Sequence, residues 1–447
     1  MFELEKRGVP TVGWTAQRFA NDAKASSRAF GLDDIALAII PLPATNQSEE
    51  TITKWAVDSI DQVIDGLTKP MVPKLDKVTV RTSEILEFQG EDLLEASQKM
   101  NQTFLEKAWS DGLPLVPPTP KAVDAMLSGT SLGRDRVLCL LEPDFGIATL
   151  EKIAINAVMA GCRPEHLAVV IAAVQCLADP RMMLRNFAMS TAPHAPLILI
   201  NGPIAKKLNI NSKSCALGPG SISYANTVIG RSIRLIMMNV GHCYPGTGDM
   251  DTIGSPTKFS MCVAENEDDS PWEPFHVERG YDRETSTVTV HFNYGLCDLA
   301  DAFSKTPDGL IRTIGGSATN LGHITVGTWL QGHRTDQRYN VEVKDHDMIL
   351  MCPDHARLFA SFDWNKDKVR QALWKAALLP AKLLFKDIEL IKVGRPELMW
   401  LEKNPDLEIP ILETPDCYHI AVVGADVGRG LYTWGAGDAV TKPIEAK

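Results

Sequence analysis

The sequence predicts an α/β protein: an incomplete Rossmann-like N-terminal unit followed by a large mixed α/β domain. Two observations carry this. Short continuous apolar runs bounded by Gly and Pro alternate with helical stretches, as buried strands flanked by helices do. At 447 residues the chain is also too long for one ordinary core, so two or three domains are expected.

Near the start, Gly8-Val-Pro-Thr-Val-Gly-Trp14 reads as a strand, Ala16 to Phe30 as a helix, and Ile35-Ala-Leu-Ala-Ile-Ile40 as a second buried strand. This is βαβ grammar that begins on the second strand of a unit, so a strand edge at Val9 to Trp14 is expected to be covered by another chain or by Tyr418 to Gly424. A helix near Thr51 to Leu67 follows, with Ser48-Glu-Glu50 placing acids in its first turn. Residues 1–75 form this unit. Residues 76–116 are expected to connect it, through a linker over Pro70 to Lys77, a strand or hairpin from Val78 to Phe88 and a helix from Glu91 to Trp109. Residues 117–447 form the large domain, with two sub-lobes dividing near 300–345. Inside it Thr149 is the expected N-cap of a helix ending at Gly161, and Pro164 opens the next. Strands are expected at Pro196 to Asn201, Ser286 to Phe292, Asp347 to Cys352 and Tyr418 to Gly424, with a helix from Asp367 to Leu378.

Lys+Arg 45 against Asp+Glu 56 gives a net charge of −11, and no basic run stands out, which argues against nucleic acid as a partner. No window reaches the roughly 20 apolar residues of a membrane helix, and no secretory signal opens the chain. The 9 cysteines are scattered singly in mostly apolar settings, the usage of a reducing compartment, so a cytoplasmic location is expected.

The stretch Leu4-Glu-Lys-Arg-Gly-Val-Pro-Thr-Val12, with Arg18-Phe19, Gly31 and Pro41 to Pro43, resembles the N-terminal domain of the UGSC-motif (seleno)protein family. Asp111-Gly-Leu-Pro114, the run Glu151 to Glu165 and Ser270-Pro-Trp-Glu-Pro274 look like the long domain found with it, so the resemblance extends over most of the chain. Members of that family carry a Cys-Gly-Ser-Cys or selenocysteine turn before the helix that ends in Arg-Gly-Val/Ile-Pro. That turn does not occur in this sequence, so thiol redox chemistry does not carry over.

Candidate chemistry lies in three places. Leu217-Gly-Pro-Gly-Ser221 runs into a helix through Asn239, and a helix start after a glycine loop offers N–H donors and a positive dipole to an anion. Gly218, Gly220, Ser221 and Arg231 are therefore candidate substrate-binding residues; the competing reading is a glycine turn with Arg231 and Arg234 tied to structural carboxylates. His242 and Cys243 lie in a Gly/Pro-rich loop of the kind that often carries sites. They are a candidate acid/base and nucleophile, although neighbours on an extended chain point apart. A zinc site would need further ligands at recognisable spacing, and none is evident. Glu265, Glu278 and Arg279 flank an aromatic segment that could raise a carboxyl pKa for proton transfer. The glycine turn Val423 to Gly430 and the small-residue loop Gly315 to Thr319 with His323 are secondary candidates.

Together these residues predict a cytoplasmic enzyme acting on a small anionic, carboxylate-bearing molecule by lyase- or hydratase-type acid/base chemistry. The cofactor is not legible. The alternative is one subunit of a hetero-oligomeric thiol-dependent reductase whose Cys-Gly-Ser-Cys segment is on another chain. Oligomers would form through the N-terminal edge strand, with no nucleic-acid or membrane partner.

Overall fold

The computed structural model describes residues 1–69 and 85–445, apart from 33, 45, 46 and 324. The fold is mixed α/β. Its centre is a six-stranded sheet ordered Tyr418–Val422, Asp347–Met351, Arg429–Pro443, Thr287–Ala300, Ala195–Asn201 and Cys262–Ala264. The outer pairs are parallel and the inner ones antiparallel. Strands on both sides of residues 300–345 share this one sheet.

Both faces of the sheet are covered, which explains why its strands read as continuous apolar runs. Ile198, Ile200, Val288, Val290 and Phe292 face helices Leu150–Ala160, Leu167–Leu177 and Tyr224–Asn239. Ile349, Met351, Ile420 and Val422 pack with helices Pro307–Ala318 and Lys366–Ala376. The intervening side chains Leu197, Leu199, Met348, Leu350 and Ala421 point the other way and meet Phe275. Each fully buried Leu or Ile in these layers stabilises the fold by about 1.5–3 kcal/mol.

Helix ends follow their local chemistry. The Thr149 hydroxyl accepts from the Lys152 amide at 3.3 Å, and Gly161 closes the same helix at φ 92°, where a side chain would be strained. The alanines of this helix let it approach Tyr224–Asn239 closely, and the Tyr224 hydroxyl caps the turn by donating to the Gly161 carbonyl at 2.5 Å.

The N-terminal unit is a two-stranded parallel sheet, Val12–Ala16 with Ala36–Ile40, joined by helix Ala20–Ala29. The expected single helix after it is two, Glu49–Asp58 and Ile60–Thr68, broken at Ser59. The unit meets the large domain through Asp22, which accepts from the Gly248 amide at 2.9 Å, and Ser26, which accepts from Arg185 at 2.6 Å. Tyr418–Val422 is not the cover for the Val9 to Trp14 edge. It pairs with Asp347–Met351 at the rim of the central sheet, because its two faces are apolar and need that sheet's two layers. Among the described residues no third strand joins the N-terminal pair.

The expected linker at Pro70 to Lys77 and residues 78–84 of the expected Val78 to Phe88 strand lie outside the described residues. Residues 85–88 form no strand; Leu86 and Phe88 pack beside Met100 and Phe104 of helix Leu93–Glu106. Gly315 to Thr319 is not a loop either. It closes helix Pro307–Ala318, where a Cβ on Gly315 would make only ordinary contact with Ala376 at 3.5 Å.

Candidate functional site

Period-2 alternation sets three histidines on one face of the sheet. His291 alternates with Val290 and Phe292, His346 shares the parity of Met348 and Leu350, and His419 that of Ala421. The fourth member, Asp438, sits where Arg429–Pro443 bulges between Ala436 and Val440. The bulge turns this carboxylate out of the ladder and toward the histidines.

The segment before Asp347–Met351 is clamped to that bulge. Asp345 accepts from the Gly437 amide at 2.9 Å, the His346 amide donates to the Gly437 carbonyl at 3.2 Å, and Asp347 accepts from the Gly435 amide at 2.8 Å. Burial pushes the Asp347 carboxyl up to about 7, against its hydrogen bonds from Tyr432 and Gly435. Gly435 has no room for a side chain: a Cβ there would lie 1.8 Å from the His346 carbonyl and 2.2 Å from the His291 ring.

Within the cluster His419 Nε2 lies 3.2 Å from Asp438 Oδ1, and the His346 and His419 rings stack at 4.8 Å with planes 3° apart. The His291 ring meets His419 edge-on at 5.7 Å and lies against the His346 backbone, which leaves one of its nitrogens without a partner. Burial holds the His419 imidazole well below its usual pKa, opposed by Asp438. Burial would raise Asp438, but its bond to His419, with His346 and Arg279 nearby, holds it below the carboxylate range. The pair is thus a neutral imidazole donating to a carboxylate.

His419 opens on a cavity of about 400 Å³. Its walls include Phe275, Glu278 and Arg279 from the short helix Phe275–Glu278 and its end, Arg370 and Gln371 from Lys366–Ala376, and Asp416. Arg279 Nη2 donates to Asp438 at 3.2 Å and to the Ala439 carbonyl at 2.8 Å, leaving Nε unpaired. Glu278 accepts from Arg370 at 3.0 Å and lies 3.3 Å from the buried Lys366 ammonium.

The sequence-predicted residues fall into two groups. Glu278 and Arg279 line the cavity, and Glu265 lies just behind it. Glu265 is fully enclosed, accepting from Asn201 Nδ2 at 2.5 Å, the Phe275 amide at 2.7 Å and the Val422 amide at 3.3 Å. Burial raises its pKa, partly offset by Lys366 at 3.8 Å. It ties the Phe275 helix to the sheet and does not line the cavity.

The others lie elsewhere. Gly218 and Gly220 have φ of 91° and 123°, and Ser221 is exposed, but helix Tyr224–Asn239 starts three residues beyond Ser221. Arg231 forms a fork with Asp111 at 2.7 and 2.9 Å and also donates to the Leu113 and Pro114 carbonyls, so its guanidinium fastens the Asp111 to Pro114 turn. Arg234 pairs with buried Asp249 at 2.8 Å. These arginines are tied to structural carboxylates. His242 is exposed and bonds to Asp144 at 2.8 Å. Cys243 is buried and points away from it, its thiol donating to the Gly248 carbonyl at 3.2 Å and pushed up to about 12 by burial. A protonated, enclosed thiol is no nucleophile.

His346, His419 and Asp438 escaped sequence reading, as did Arg370. The available signal was a histidine at a strand position in each of three runs, plus an Asp in a Gly-rich strand. Only the pairing order brings them together.

Residues 2–69 match the UGSC family model, so the N-terminal unit is recognised as a segment of that family. The later runs that resemble the family's long domain lie outside the matched residues. No curated protein and no solved structure matches the chain.

Proposed function

We propose that the chain is an enzyme that binds a small carboxylate-bearing molecule in the cavity beside His419 and moves a proton on it, a lyase- or hydratase-type reaction. The observation that carries this reading is the cavity wall itself: Glu278 and Arg279, adjacent in sequence, both line it, with Arg370 paired to Glu278. Arg279 and Arg370 supply positive charge for a carboxylate, although Arg370 is already bonded to the Tyr418 carbonyl, Asp367 and Glu278. Glu278 is the proton-transfer residue, a carboxylate at the wall within reach of a bound molecule. Glu265 is a positioning residue, since it holds the Phe275 amide and hence the start of the helix that presents Glu278.

A panel of small mono- and dicarboxylates, screened by ligand-observed NMR, tests the binding step. Binding should be lost in Arg279→Gln and retained in Glu278→Gln, which should abolish turnover of whichever ligand reacts. Failure of the whole panel to bind, or equal binding by Arg279→Gln, overturns the reading.

The edge of the Val12–Ala16 strand that no strand covers among the described residues favours a second reading, a subunit of a thiol-dependent assembly that docks a partner there. Most cysteines of this chain are protonated by burial, with Cys162 and Cys176 pushed up to about 12, so the reactive thiol would be the partner's. A cytoplasmic location remains part of the proposal. Among the described residues no single helix is long and apolar enough to cross a membrane. One bent pair, Pro164–Leu177 with Pro180–Ala188, passes on composition, and its first helix lies in the core.

A further inference from the structure

We infer that His346, His419 and Asp438 form a binding site for one divalent transition-metal ion of the zinc class. Each residue offers a ligand atom, and these atoms all lie within 4.8 Å of one another. Ligand atoms on a tetrahedral Zn²⁺ are about 3.3 Å apart, given metal–ligand bonds of about 2.0–2.2 Å. The His419 Nε2 to Asp438 Oδ1 edge is already 3.2 Å. The site closes by an inward movement of His346, whose ring is stacked on His419 and whose Nδ1 lies 4.0 Å from Asp438 Oδ1.

The donor set suits this class of ion. Two imidazoles and one carboxylate are borderline ligands that favour zinc, cobalt or manganese over calcium or magnesium, which take oxygen shells. His346 Nδ1, the nitrogen nearest Asp438 at 4.0 Å, also lies 3.1 Å from the Lys344 carbonyl and gives up that contact to take the ion.

A second observation points to a missing ligand. His291 is wholly buried beside His419; its ring meets the His346 backbone, which leaves one ring nitrogen without a partner. A buried ring nitrogen with no hydrogen bond is costly. A metal, or water bound to it, gives that ring a partner. Of the three, His419 borders the cavity, and three protein ligands leave a fourth position free, as in a catalytic rather than a structural metal site.

Arginine opposes the ion. Arg279 Nη2 sits 3.2 Å from the same Asp438 oxygen. Arg181 also acts on Asp438, and Asp416, a second carboxylate on the cavity wall, is itself offset by Lys344. Metal and Arg279 therefore compete for Asp438, and removing the guanidinium should tighten metal binding.

The full-length protein, stripped with a chelator and dialysed, is titrated with Co²⁺ followed by visible absorption and with Zn²⁺ by calorimetry. One ion per chain is expected, with Co²⁺ d–d bands and no thiolate charge-transfer band. His346→Gln and Asp438→Asn should each weaken binding at least tenfold, and Arg279→Gln should strengthen it several-fold. Near-UV circular dichroism establishes that each variant is folded. Absence of stoichiometric Co²⁺ binding by the unmutated protein overturns the site without reference to any variant. So does a thiolate band, which would assign the ion to cysteine, or unchanged affinity in the folded variants. Metal binding is read without substrate, so it stands or falls apart from the carboxylate reading of the cavity.

Discussion

Glu265 shows how a residue can be legible as important and still be assigned the wrong work. Its sequence neighbours, acids followed by Pro271-Trp-Glu-Pro-Phe275, signal a carboxyl against an apolar wall, and burial does raise its pKa. What the sequence hides is that all its acceptor capacity faces protein donors. Glu265→Ala strands the Asn201 amide and the Phe275 and Val422 N–H groups, at about 1–3 kcal/mol for each buried donor left unpaired. The expected loss is at least ~3 kcal/mol in urea unfolding; a loss under 1 kcal/mol would show that water or a neighbour satisfies them. Glu278 and Arg279 were legible because they lie together in one aromatic-rich segment. His346, His419 and Asp438 were not, since they lie in or beside three different strands and acquire chemistry only from one another across the sheet.

At the scale of elements, legibility followed local signals. The helix Leu150–Ala160 was readable at both ends because its cap residues act locally, through Thr149 and Gly161. The sequence shows a glycine turn over Val423 to Gly430 and no strand over Arg429–Pro443, because Gly430, Gly435 and Gly437 look like breakers. Each of the three meets tertiary structure: Gly430 faces the Leu350 carbonyl, Gly435 the His346 carbonyl and Gly437 the Phe187 ring. Close approach between strands and rings, invisible in a single strand's sequence, overrides the low strand preference of glycine. Gly435→Ala is therefore expected to displace the Asp345 to Asp347 segment or His291. A destabilisation of about 3 kcal/mol or more is expected, at or beyond the upper end of ordinary overpacking. Thermal unfolding checks the stability, and His291 ring signals by NMR check the displacement; an unchanged melting temperature would mean that the bulge relaxes freely.

At the scale of the whole molecule, stability depends on groups that titrate in opposite directions. His194, enclosed beside Phe187 and Tyr294, is pushed down to about 3 by burial, with Arg334 and Lys258 adding to it. Its unfolded value is about 6.5, so between those values the unfolded chain binds the proton and the folded one does not. Its contribution is present above about pH 6.5 and is lost as pH falls, by roughly 1.4 kcal/mol per unit once well below that value. His323, lowered to about 4 mainly by burial and stacked on Trp434, has the same sign. Glu265, raised by burial, has the opposite one: the folded protein holds its proton longer, so its contribution weakens as pH rises. A wild-type pH profile blends these terms, whereas a difference isolates one. His194→Phe keeps an aromatic ring among aromatic neighbours and removes the titration. Relative to wild type, the variant should gain about 2 kcal/mol between pH 7.5 and pH 5, the linkage expected for a group moving from about 6.5 to about 3. Urea midpoints at the two pH values measure it. Parallel profiles for the two proteins would mean that His194 is protonated in the folded state, hydrogen-bonded through the nitrogen that here has no partner.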